Sequence, residues 1–290
     1  MKVLFTSDLH GEIHLYHELL ELANSSSTEI IILGGDLLPS FPPTKRYEDM
    51  PPNQRTFADG FLIPFFRQVN ETTSVKQIFL IAGNWDLRYS YLFKVPAEGI
   101  VDLNQKAYRL KNGYEMIGYP FVPPTPFRPK DFEKMDDPES PWPPQKNPSY
   151  IRGSDHTDQL TMVDPHLYLR QRETIRDDLP KLPKPLHLRQ TIYIMHSPPF
   201  GTALDLIQGG MHTGSRSITS FIAETQPLLT LHGHIHESPD LSGTYRDRIG
   251  NTICVNPGQF SLTGDGGSKL HGVIFDLEDP GGSLWHTCLP

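Results

Sequence analysis

Five short apolar runs each end in a group able to hold a metal ion or move a proton. Val3–Phe5 leads to Asp8-Leu9-His10, and Ile30–Leu33 leads to Gly34-Gly35-Asp36. Ile78–Ile81 leads to Gly83-Asn84-Trp85-Asp86, Thr191–Met195 to His196-Ser197-Pro198-Pro199, and Leu228–Leu231 to His232-Gly233-His234-Ile235-His236. Each piece alone is common: Gly-Asp is usually a turn, and a single histidine at a strand end is usually a hydrogen-bonded structural residue. The last block is stronger, because imidazoles at i and i+2 share one side of an extended segment. Carboxylate and imidazole without thiolate form a donor set suited to Mn, Fe, Ni or Zn. Only Cys254 and Cys288 occur, so a cysteine-rich zinc site and a disulfide scaffold are excluded. No Ser-His-Asp triad, Walker-type glycine loop or dinucleotide fingerprint competes for the chemistry.

Such residues meet only if the runs are strands of one sheet system. The runs are continuous rather than alternating, as strands buried on both faces require. In an open α/β sheet the ligand site lies off the carboxyl ends of the strands, where all five blocks fall. Between the first two runs, Glu12–Asn24 carries Ile13, Tyr16, Leu19, Leu20 and Ala23 at helical spacing. Thr56–Val69 and Ser215–Glu224 carry weaker helical patterns. Gly272–Leu277 and Ser283–Leu289 read as antiparallel strands closing a second sheet. The expected architecture is an α/β sandwich.

Residues 119–185 break the pattern, with 14 of the 28 prolines. That density prevents a regular sheet interior and favours an extended, partly rigid segment. Tyr119, Phe121, Phe127, Phe132, Trp142 and Tyr150 argue against a disordered linker, which would be poor in aromatics. The segment, including Pro123-Pro124, Pro143-Pro144 and a helix over His166–Asp178, is expected as an insertion on a single domain covering 1–290. The 26 basic and 34 acidic residues leave a net charge of −8, which argues against a long nucleic acid as partner. The start of the chain meets Asp8 too soon for a signal segment, and no run approaches 18 apolar residues, so a cytoplasmic protein that does not enter a membrane is expected.

The blocks resemble the calcineurin-like metallophosphoesterases, whose pattern is Asp-x-His, Gly-Asp, Gly-Asn-His-(Asp/Glu), a lone His and Gly-His-x-His. The resemblance runs from Asp8 to His236 and extends to Asn256-Pro257-Gly258. It implies two mixed β-sheets flanked by helices. It also implies two divalent metal ions, one on Asp8, His10 and His236 and the other on Asn84, His196 and His234, with Asp36 bridging. Two such ions bring +4 and the two aspartates return −2, enough net charge to hold a phosphate dianion. Ions about 3.5–4 Å apart lower the pKa of a shared water and neutralise phosphoryl oxygens, so no protein nucleophile is needed. The expected function is hydrolysis of a small phosphorylated substrate, as phosphodiesterase or phosphatase, and a nucleotide-like diester fits the aromatic supply. A scaffold of the same fold with little catalysis is the alternative.

One block departs from the pattern: Trp85 stands where the family has the histidine credited with protonating the leaving oxygen. Indole has one N–H donor and no titratable proton at neutral pH. Trp85 therefore either packs against substrate or is a core or rim residue. His212, just before Gly214-Ser215 and a helix starting near Arg216, is a candidate replacement, since a helix N-terminus is an anion site. Catalytic roles are thus expected for Asp36, Asn84 and His212, and substrate contacts for Trp85, His212 and Asn84. Arg128 or Lys130 in the insertion would shape specificity. Asp86 is expected to orient Asn84 or backbone amides, His232 to be structural, and His14 and His17 to lie on the surface.

Overall fold

The computed structural model describes residues 1–42, 44–91, 99–143, 150–153, 157, 159–259 and 269–288. Two six-stranded sheets form its centre. In the first, the order is Trp285–His286, Val273–Asp276, Lys2–Thr6, Ile30–Leu33, Gln77–Leu80, Ile100–Asp102. In the second it is Arg246–Ile249, Thr252–Val255, Leu229–Leu231, Thr191–Met195, Glu115–Tyr119, Ala107–Arg109. Lys2–Thr6, Ile30–Leu33 and Gln77–Leu80 run parallel in adjacent positions, and so do Thr191–Met195, Leu229–Leu231 and Thr252–Val255. The strands that lead into the candidate residues therefore belong to two parallel cores.

Why the strands are apolar throughout follows from the two-residue period of the pleat. Val3, Phe5, Ile30, Ile32, Phe79 and Ile81 face Met116, Ile192, Ile194, Leu229, Leu231 and Val255 across the space between the sheets. The alternate residues turn outward: Leu4, Ile31, Leu33 and Ile78 pack with Leu15, Tyr16, Leu19 and Ala23 of helix Ile13–Ser25. Tyr193, Met195 and Cys254 belong to the same cluster as Ile218 and Ile222 of helix Arg216–Thr225. The α/β sandwich of two mixed sheets flanked by helices is the architecture found.

Three local expectations are corrected. Val273–Asp276 and Trp285–His286 do not close the second sheet; they extend the first, with Val273–Asp276 antiparallel to Lys2–Thr6. The span His166–Asp178 is two helices, Pro165–Arg170 and Ile175–Asp178, and Thr174 starts the second with a capping box on Asp177. The helical region foreseen over Thr56–Val69 begins earlier, at Met50, and contains a π-helical stretch at Ala58–Leu62. Pro144 and Leu289 lie outside the described residues.

The proline-rich segment is tied to the core rather than draped over it. Phe121, Phe132, Ile175, Leu179 and Leu182 join the main apolar cluster. Lys134 donates to Asp178 at 2.5 Å, and Tyr119 Oη donates to the same carboxylate at 2.9 Å. Lys130, fully buried, donates to Glu133 at 2.7 Å and to the carbonyls of Thr125 and Phe127. Lys130 thus fixes the loop carrying Phe127, and its ammonium does not face a substrate, contrary to the expectation for it.

Candidate metal centre

Asp8, His10, Asp36 and His236 each bring one ligand atom to a cluster in which these atoms lie within 4.8 Å of one another. His196 joins it through Nε2, 3.4 Å from Asp36 Oδ2 and 3.9 Å from Asp8 Oδ1. The ring of His234 lies 5.4 Å from that of His196, centre to centre, and its backbone N–H donates to both oxygens of Asp8. Asn84 sits between Gly83, which abuts Asp36, and Trp85, whose backbone N–H donates to Asp36 Oδ1 at 2.8 Å. Residues from both sheets thus meet at one edge, as the strand-end placement requires.

The backbone is strained to make this meeting. Asp8, His10, Asp36 and His234 all have positive φ, between 46° and 69°. Left-handed conformations in non-glycine residues persist where surrounding structure over-determines them, and they concentrate at functional sites. Glycines clear the space beside them. A Cβ on Gly83 would strike the Asp36 carboxylate, and one on Gly233 would strike Ser7 Oγ and Asp8 Oδ2. Asp86 accepts from the backbone N–H groups of Leu37, Leu38 and Gly83, so it locks the Asp36 loop to the Asn84 loop. Asn256 Nδ2 donates to the carbonyls of Leu204, Gly233 and Ile235 and fixes the loop of His234 and His236.

The donor set fits cations on three observations. The Asn84 side-chain oxygen and nitrogen and His196 Nε2 are buried without hydrogen-bond partners. Orphaned polar atoms of this kind are rare in folded proteins and call for an explanation. His196 Nδ1 faces the Gly34 carbonyl at 2.8 Å, which fixes the proton there and turns the Nε2 lone pair toward the carboxylates. His10 and His236 point Nε2 at Nε2 across 3.2 Å, while His10 Nδ1 is held by Ser40 Oγ. Ser40 escaped the sequence reading because nothing marks a serine in a proline-rich loop as a partner of His10.

Charge in the cluster is distributed unevenly. Burial opposes ionisation of Asp8, but His236, His196 and His10 outweigh it and hold the carboxyl far below the usual range. Burial also opposes charge on Asp36, which His196 and His10 nevertheless keep below its ordinary value. Burial resists protonation of His196, yet Asp36 and Asp8 prevail and push it up to about 9. Burial takes His10 down to about 4 and His234 to about 3. Burial likewise resists protonation of His236, yet Asp8 lifts it above its ordinary value, so a divalent cation bound here would displace the protons of His196 and His236 while both carboxylates stay anionic.

His232 has a structural part, as foreseen. Its Nδ1 faces the carbonyls of Met195 and Ser197, and its Nε2 faces Thr230 Oγ1. Burial lowers it to about 4 from an ordinary 6.5. The unfolded chain therefore binds the extra proton between these values, so stability falls as pH drops from about 6.5 to about 4. The full loss from this one group is about 3 kcal/mol. Thermal melts of the metal-free protein across that range check it, and His232→Asn is expected to flatten the slope.

The helix end near Arg216 is a different matter. Ser215 caps Ile218 N at 3.0 Å, as expected, but the anion at this terminus is the protein's own Asp136. Its carboxylate takes Ser215 Oγ and the N–H groups of Arg216 and Ser217, so the terminus is not open to a phosphate. Ser215→Ala is expected to destabilise the fold by about 1–2 kcal/mol, measured by denaturant midpoint. His212, 37% exposed, is held through Nδ1 by the buried Asp205 at 2.7 Å. No hydrogen bond or ion pair joins it to the cluster among the described residues. Asp205 also accepts from Gly201, Thr202 and Gly214 N–H groups, and a buried aspartate in a glycine-rich turn gave no sequence signal of this role. Trp85 is 8% exposed and packs with Met50 and Leu87. His14 and His17 lie on the surface.

The spacing of the five blocks has a counterpart in known proteins: the calcineurin-like phosphoesterase profile matches residues 1–238. The chain belongs to that family. Among solved structures, one has a TM-score of 0.61 at 20% identity, over 100% of this chain and 99% of that one. The TT1561 protein of Thermus thermophilus has a TM-score of 0.54 at 16% identity, over 98% of this chain and 97% of that one. A novel archaeal phosphodiesterase gives 0.44 at 13% identity, over 99% and 98%. The first two likenesses establish the fold. No curated protein matches the sequence. No helix among the described residues is long and apolar enough to cross a membrane.

Proposed function

We propose that this phosphoesterase hydrolyses a small phosphate mono- or diester with two divalent cations, of the Mn, Fe, Ni or Zn type. Asp8, His10 and His236 would hold one, Asn84, His196 and His234 the other, and Asp36 would serve both. The observation carrying this reading is the convergence of Asp8, His10, Asp36 and His236 on one point beside the unpartnered Asn84 and His196. Divalent ions bound there supply Lewis-acid polarisation of the phosphoryl group and a water of lowered pKa.

The chain's own groups do the rest. The Asn84 amide, buried and otherwise unpaired, serves ligand and phosphate; Asp86 and Asn256 hold the loops in register. His212 is the proton donor we assign to the leaving oxygen, with Asp205 holding its Nδ1 and so setting the direction in which Nε2 faces. Trp85 contributes surface, not protons. We read 1–290 as one domain with 119–185 as an insertion, the cytoplasm as its location, and a nucleotide-like diester as a substrate compatible with the rings around Trp85.

The test is hydrolysis of bis(4-nitrophenyl) phosphate and 4-nitrophenyl phosphate with Mn added, beside metal analysis of the purified protein. About two ions per chain and turnover that disappears on chelation are expected, with His236→Ala losing both. Substoichiometric metal with no hydrolysis would overturn the reading and favour a scaffold.

A further inference from the structure

Next to the cluster lies a set of rings from three separate segments. Trp85, adjacent to Asn84, is flanked by Phe41 at 4.9 Å and by Phe127 at 5.2 Å between ring centres. Phe41 follows Ser40, the residue that holds His10 Nδ1. Phe127 comes from the insertion, fixed there by the buried Lys130, which donates to its carbonyl at 2.6 Å. Tyr47 packs on Phe41 at 6.2 Å, and the Arg128 guanidinium lies 4.4 Å over the Tyr47 ring.

These rings are unequal in exposure. Trp85 is buried, whereas Phe41 is 54% and Phe127 44% exposed. Burying two exposed phenylalanines is favourable, yet the chain instead secures both in place, one by the loop next to His10 and the other by an internal ion pair. Flat aromatic surface pinned beside a ligand cluster has a specific use: it stacks planar groups, and discriminates them from equally apolar puckered ones.

We infer that Phe41, Trp85 and Phe127 form a platform for a planar group of the ester substrate, aryl or nucleobase, next to its phosphate. The inference rests on the phosphoesterase reading above and names the substrate class of that site. Phe41 and Phe127 determine specificity on this account and take no part in the chemical step. The insertion gains a role as well, since it supplies one face of the platform.

Two non-hydrolysable probes separate the ideas: phenylphosphonate and cyclohexylphosphonate, equal in ring size and compared per dianion, titrated calorimetrically into the Mn-loaded protein. Cyclohexyl is the more apolar, so simple hydrophobic filling favours it. Stacking favours phenyl, and the expected preference is about fivefold to tenfold. Phe127→Ala and Phe41→Ala are expected to erase that preference while leaving cyclohexylphosphonate affinity within about twofold. Phe127→Leu keeps apolar bulk without a flat face, and is expected to lose the preference with unchanged melting temperature. Equal affinity for the two probes, or a preference untouched in Phe41→Ala and Phe127→Ala, overturns the platform and leaves the hydrolase reading intact. Binding of neither probe overturns the anion site itself, and both readings fall together.

Discussion

Asp36→Asn is expected to lower kcat/KM toward an aryl phosphodiester about 10³-fold, equivalent to about 4 kcal/mol of lost transition-state stabilisation. Asp36 is the carboxylate on which the cluster converges. One oxygen accepts the Trp85 N–H at 2.8 Å, and the other faces His196 Nε2 at 3.4 Å and His10 Nε2 at 3.8 Å. Asparagine is nearly isosteric and can still accept from Trp85, so the loop should keep its path. Its amide nitrogen, however, would face the imidazoles with a donor and no charge, which neither ion can share. The metal-free variant should be somewhat less stable than the parent, because, against the cost of burial, His196 and His10 hold the parent carboxyl below its ordinary value and the amide forfeits that attraction. The rise in melting temperature on adding Mn should shrink, since that rise reports ligand binding to the folded state. Activity within tenfold of the parent, or an undiminished thermal shift by Mn, would show that Asp36 does not bridge anything.

How much of this was legible in the sequence depended on the kind of burial involved. Strands covered on both faces leave continuous apolar runs, and Lys2–Thr6, Ile30–Leu33 and Thr191–Met195 therefore announced themselves together with the residues at their ends. Edge strands do not: Ile100–Asp102 and Ala107–Arg109 are three residues long and partly exposed, and neither was foreseen. Sheet membership was also hidden. Val273–Asp276 reads as a strand, but only the packed chain decides that its neighbour is Lys2–Thr6. Long-range polar partners leave still less trace. Asp136 reaches Arg216 N from 80 residues away and fills a helix terminus that looked open to phosphate. Lys130, a basic residue in a loop, is turned inward onto Glu133 by a partner three positions on. Residue type and spacing found the chemical groups, whereas which groups were already satisfied by the protein itself required the fold.

The glycine of the departed block offers a second large effect, and one that removes no ligand. Gly83→Ala is expected to reduce kcat/KM about 10²-fold and to cost about 1–3 kcal/mol in stability. A Cβ there would collide with Asp36 Oδ1 and lie 2.6 Å from Asp36 Cγ. The clash cannot be relieved by swinging a flexible tip, because Asp36 is buried and held by Trp85 N, and its backbone already sits at φ 52°. Nor can Gly83 retreat, since its N–H is bonded to Asp86 Oδ2, while Oδ1 of the same carboxylate secures Leu37 and Leu38. The carboxylate must therefore move by a fraction of an ångström to an ångström, and both proposed cation positions move apart with it. Gly60→Ala is the matched control: nothing lies within 4 Å of a Cβ there, in the helical stretch Ala58–Leu62. That exchange should leave kcat/KM unchanged and raise stability by about 0.4–1 kcal/mol through the unfolded state. Should Gly83→Ala behave like Gly60→Ala in metal content, turnover and melting temperature, the close packing of the Asn84 loop on Asp36 would not govern the site.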